Sequence, residues 1–64
     1  MEMTKTLEIF IAKLKQLGTK RILLQERGAA AEDWEALADE YEAIGARANA
    51  WQCRQRAQVK SNLA

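Results

Sequence analysis

The sequence predicts a small all-α domain, either three helices or a helical hairpin that a second copy completes as a dimeric helical bundle. Three observations predict it. Apolar residues recur at intervals of three and four, the period of an amphipathic helix. The composition is rich in Ala, Leu, Glu, Gln, Arg and Lys and holds three glycines and no proline, a bias toward the better helix formers. A length of 64 residues allows one domain, which buries only roughly 60% of the surface its unfolded chain exposes.

The first helix is expected over residues 4–27. Leu7, Phe10, Ile11, Leu14 and Leu17 set its stripe, Thr4 or Thr6 can cap its start, and Gly28 after Arg27 is a natural stop. Gly18, within this helix, costs about 1 kcal/mol relative to alanine and is a point where it can break. Ile22, Leu23 and Leu24 are consecutive and so spread over most of the circumference. Either the helix packs on two neighbours or part of this cluster is an exposed apolar patch.

The second helix, residues 30–44, carries Glu32, Asp33 and Glu35 near its N-terminus, where acid meets the helix dipole favourably. It buries Trp34, Leu37, Ala38, Tyr41 and Ile44. Gly45 then divides two readings. If the chain turns there, a third helix over residues 46–62 presents Ala46, Ala50, Cys53 and Ala57 as a small-residue face. If the helix continues, Trp34, Leu37, Tyr41, Ile44, Ala48 and Trp51 form one heptad stripe, as in a hairpin that dimerises. The turn is preferred, because a glycine followed by small residues in register is the more specific observation.

Trp34, Leu37, Ala38, Tyr41, Gly45, Ala50 and Ala57 have the spacing of a tetratricopeptide repeat, and residues 31–64 resemble one such unit. Arg54 stands where that family usually has an aromatic residue, and the closing proline is absent. The resemblance implies a non-catalytic protein-binding scaffold. Repeats of this kind stack, with at least three usual for stability, so the first helix, a second copy or a partner would serve as the neighbour. A second resemblance runs through Trp34, Leu37, Ala38, Gly45, Gln52, Cys53, Arg54 and Arg56, which are similar to Myb or SANT-like DNA-binding domains. There Ala57 replaces a tryptophan, and Phe10 stands in a first helix that usually carries one.

Charge is polarised along the chain. Residues 46–64 hold Arg47, Arg54, Arg56 and Lys60 and no acid, whereas residues 26–43 hold seven acids and one arginine. The basic helix therefore either contacts nucleic-acid phosphate or packs beside the acidic one and pairs with it.

Residues for catalysis are few. The chain has no histidine and one cysteine, which leaves no internal disulfide and an unusual ligand set for zinc. Cys53 reads as a buried apolar side chain rather than a reactive thiol. The glycines are isolated and form no phosphate loop. No catalytic, cofactor or metal residue is assigned. No apolar run reaches the length of a membrane span, and neither a secretory signal nor membrane-surface binding is expected. The expected location is cytoplasmic, where a lone thiol stays reduced.

The functional expectation is a small interaction or regulatory module that acts by burying apolar helical surface, on a protein partner or on a second copy. Phe10, Leu14, Leu17, Trp34, Leu37, Tyr41, Ile44 and Trp51 are expected to share the core and the contact surface. Phe10, Leu14, Leu24, Tyr41 and Trp51 are the interface candidates, with Trp51 the preferred anchor. The alternative is a nucleic-acid-binding regulator that uses Arg47, Arg54, Arg56 and Lys60.

Overall fold

A computed structural model describes the backbone of residues 2–63 and the side chains of residues 5–62. The chain forms three α-helices: α1 over Glu2–Glu26, α2 over Ala31–Ala43 and α3 over Arg47–Leu63. No strand occurs among the described residues. The all-α class and its three-helix form follow directly, and the continuous second helix does not occur. Helix α1 begins before Thr4 and Thr6, so neither caps it, and it runs through Gly18 without a break.

Both helix-to-helix turns are closed by the same device. At the end of α1, Gly28 adopts φ 63°, its N–H donates to the Gln25 carbonyl, and the Ala29 N–H donates to the Leu24 carbonyl. At the end of α2, Gly45 adopts φ 81°, its N–H donates to Glu42, and the Ala46 N–H donates to Tyr41. These paired bonds satisfy terminal carbonyls that a helix otherwise leaves open, and the left-handed residue they need is one that glycine supplies without strain. Each turn also folds an alanine back toward the helix it leaves. Ala29 is buried beside Leu24, and Ala46 packs at the edge of the core.

The short connections send each helix back along its predecessor. Helix α2 lies centrally, packed on α1 and on α3, while the α1 and α3 backbones do not approach each other closely among the described residues. The core consists of Leu17 and Leu24 from α1, Ala29 from the turn, Trp34, Leu37, Ala38 and Tyr41 from α2, and Ala50, Cys53 and Ala57 from α3. The small face of α3 allows its backbone to approach α2 closely, so Trp34 and Tyr41 fill the space between. Both are almost wholly buried, at 1% and 2% exposure.

Helix lengths do not match. At about 1.5 Å per residue, the 25 residues of α1 are about 37 Å long and the 13 of α2 only about 20 Å. The N-terminal half of α1 therefore extends past the end of α2. From residue 5 to residue 13 every side chain is exposed except the half-buried Phe10.

Candidate interaction surface

Two arginines of α3 and two acids of α2 hold these helices together and set the polar surface. Arg54 on α3 reaches Asp39 at 3.1 Å and also pairs with Glu42. Those acids lie three residues apart on α2, hence on one side of the helix. The hydrogen bond that Arg54 donates to Glu42, with the charges of Glu42 and Asp39, holds the guanidinium above its usual pKa. The Arg56 guanidinium lies 5.3 Å from the centroid of the Trp34 ring, close enough for a cation–π contact. Helix α1 is tied to α2 by Lys20, whose ammonium donates to both carboxylate oxygens of Glu40.

Arg21 plays a part that sequence reasoning missed. It stands in the stripe of Leu14, Leu17 and Leu24, where an apolar residue would complete the pattern. The structure puts it beside Tyr41 and Cys53. Burial raises the pKa of Tyr41, as does the neighbouring Cys53, and the charge and hydrogen bond of Arg21 oppose the rise. Burial likewise raises the Cys53 thiol, against the charges of Arg21, Arg56 and Arg54. A thiol so placed is a small core residue and a poor nucleophile.

The five interface candidates separate. Leu24 and Tyr41, expected at a contact surface, belong instead to the chain's own core. Leu24 shares the inward stripe of α1 with Leu17, and Tyr41 packs in the same core as the small face of α3. Phe10 and Leu14 are half-buried along α1, and Trp51 is exposed at 62%. The turn at Gly45 gives Trp51 this position, since it points α3 back along α2 with Ala50, Cys53 and Ala57 inward. Among the basic candidates, Arg54 is held by the acids of α2, while Arg47, Arg56 and Lys60 are all exposed.

Large apolar side chains remain outside the core. Leu7, Ile9, Ile11, Ile22 and Leu23 on α1, with Trp51 and Val59 on α3, are exposed. Half of the core, by contrast, is alanine and cysteine. Of the three consecutive residues on α1, only Leu24 turns inward. The other two form the exposed part of the cluster.

Two shallow clefts of about 270 Å³ each lie between side chains, one along α3 at Gln55, Arg56, Val59 and Lys60 and one between α1 and α2. Both fall below the 300–1,000 Å³ range of small-molecule pockets. Among the described residues no group of three or more Cys, Asp or Glu side chains is arranged to hold a metal ion. Among the described residues no helix is long and apolar enough to cross a membrane. The chain matches no protein-family model, no curated protein and no solved structure.

Proposed function

We propose that this protein is a small non-catalytic interaction module that acts by burying apolar helical surface on another polypeptide. One observation carries the reading: the seven large apolar side chains left exposed around a core of which half is alanine and cysteine. Isolated exposed apolar residues are ordinary, but five along a single helix of so small a chain are an unsatisfied surface of the kind that marks interaction sites. The order of the helices, with α2 between α1 and α3, also suits the repeat-like scaffold, in which successive helices stack and an outer face stays open for a partner. The nucleic-acid reading is weaker, because Arg54 already has two carboxylate partners and Arg56 stacks on Trp34.

The test replaces exposed residues only. A variant carrying Ile11→Asp, Ile22→Asp and Trp51→Ala is expected to keep the helicity and melting of the parent, measured in dilute solution by circular dichroism. A variant that unfolds would show that these side chains serve the fold and not a partner. The parent is also titrated with mixed-sequence DNA from about 50 to about 200 mM salt. Affinity that falls steeply over that range and disappears when Arg47, Arg56 and Lys60 become alanine would replace the module reading with the nucleic-acid one.

A further inference from the structure

Four apolar or glycine positions on the exposed face of α1 pair symmetrically about its middle, and we infer that this face is the seam on which a second copy of this chain packs, antiparallel, with α1 against α1. The inference rests on the interaction-module reading and names the partner. At 100° per residue, Leu7, Ile11, Leu14, Gly18 and Ile22 fall on one strip of the helix. The strip borders the core stripe of Leu17 and Leu24, whereas Ile9 and Leu23 lie on the far side of the helix. Leu7, Ile11 and Ile22 are exposed at 58%, 44% and 58%, so most of the strip is uncovered.

The spacing of the strip fixes a register. Reversed about the point between Leu14 and Lys15, four of its five positions exchange: Leu7 meets Ile22 of the other copy and Ile11 meets Gly18, while Leu14 falls opposite Lys15 beside the two-fold axis. A two-fold dimer requires such a self-complementary patch. The pairing also sets the largest exposed branched chain of the strip's middle against its one residue without a side chain.

Gly18 supplies an independent observation. It lies inside a helix, where glycine is costly relative to alanine, yet its backbone φ is not in the left-handed region. A Cβ added to it would meet nothing within 4 Å. The fold of the single chain therefore has no use for a glycine here, whereas a neighbouring helix does, because glycine lets another backbone or a large side chain come close.

Length and area agree with a second copy. The N-terminal half of α1 extends past α2, and the antiparallel pairing lays it along the C-terminal half of the partner's α1, the part that α2 already supports. Two helices overlapping over about 36 Å, each about 11 Å wide, cover a projected area on the order of 400 Å² on each copy. The total, on the order of 800 Å² before side-chain relief is added, is that of a weak, transient contact, so the dimer is concentration-dependent.

Chains carrying Leu7→Cys and chains carrying Ile22→Cys, both in a Cys53→Ala background, are oxidised separately and as a mixture near the association midpoint. The expected result is a covalent dimer from the mixture and little from either alone. Self-linking of Leu7→Cys would indicate a parallel pair and overturn the antiparallel seam. Absence of any link in the mixture, with the unmodified chain sedimenting as a monomer up to millimolar concentration, would overturn self-association while leaving the module reading with a different partner. In sedimentation equilibrium, Ile11→Asp is expected to weaken dimerisation at least tenfold with helicity in dilute solution unchanged. Dimerisation that survives Ile11→Asp and is lost with Trp51→Ala would move the contact to α3 and overturn the inference.

Discussion

Trp34 concentrates the energetics of the core in one side chain. It is almost fully buried, yet its indole N–H has no hydrogen-bond partner. An unmade bond of this kind costs about 1–3 kcal/mol. The burial of the ring offsets it, with Arg56 closing over the ring face. Cys53 shows the opposite balance, since a thiol loses little on burial provided it stays neutral. Its pKa is raised, chiefly by burial, and that of Tyr41 is raised for the same first reason. In both cases the folded state favours the protonated, neutral form. The stability this contributes is fully present below the unfolded values and is lost as pH rises through the folded ones. The window is alkaline, beginning near the usual thiol value of 9.0 and extending above the usual phenol value of 10.0. Melting followed by circular dichroism is therefore expected to hold steady near neutral pH and decline above about pH 9. Cys53→Ala should lose the first part of that decline and keep the later part due to Tyr41. An identical alkaline decline in the variant would show that the thiol is not part of it. A water-soluble thiol reagent should label Cys53 slowly until denaturant is added.

At the scale of the element, the two ends of α2 are built differently. Its C-terminus has the full set of turn hydrogen bonds, whereas its N-cap residue, Ala30, has the required extended geometry, φ −71° and ψ 165°, and no side-chain hydrogen bond to offer. The first-turn acids Glu32 and Asp33 compensate in part through the helix dipole, and Asp33 also pairs with Arg27 at 3.3 Å. Ala30 is exposed, so a hydroxyl fits there. Ala30→Ser is expected to raise stability by about 1 kcal/mol, read as a higher urea midpoint at unchanged slope. No gain would mean that the acids already satisfy this terminus. The sequence made some of these features legible and others not. The turns at Gly28 and Gly45 and the small face of α3 could be read because glycine and alanine have few alternative uses at such positions. Leu24 was legible in part, since it continues the stripe of Leu14 and Leu17 whereas Ile22 and Leu23 do not; that this stripe faces α2 and not a partner depends on how the helices pack. The clamp of Arg54 had a visible signal in Asp39 and Glu42 three residues apart. Arg21 had one too, as a lone charge in an apolar stripe, but its contact with Tyr41 depends on how α1 lies over α2. Phe10 and Leu14 were placed on the right stripe. Their half-buried state depends on where α2 stops, which is a property of paired lengths and not of either helix alone.

At the scale of the molecule, shape follows from those lengths. The chain measures 49 × 19 × 13 Å with a radius of gyration of 13.1 Å, against about 10.7 Å for a globular domain of this size. The excess is the free half of α1, a helix with few tertiary contacts to stabilise it. Isolated helices shorter than about 12–15 residues are marginal in water, so this half should open far more readily than the rest. Amide hydrogen exchange tests this directly, because local opening reports on local stability. In dilute solution the amides of residues 6–13 are expected to exchange orders of magnitude faster than those of residues 17–24, which sit over α2. Raising the protein concentration should slow the first group toward the second if the overhang lies on a partner's α1, and Ile11→Asp should keep it fast at every concentration. Equal, slow exchange along the whole of α1 in the monomer would mean that the helix needs no cover. The apolar strip would then be an ordinary solvated face, and the mismatch in helix length would carry no consequence for association.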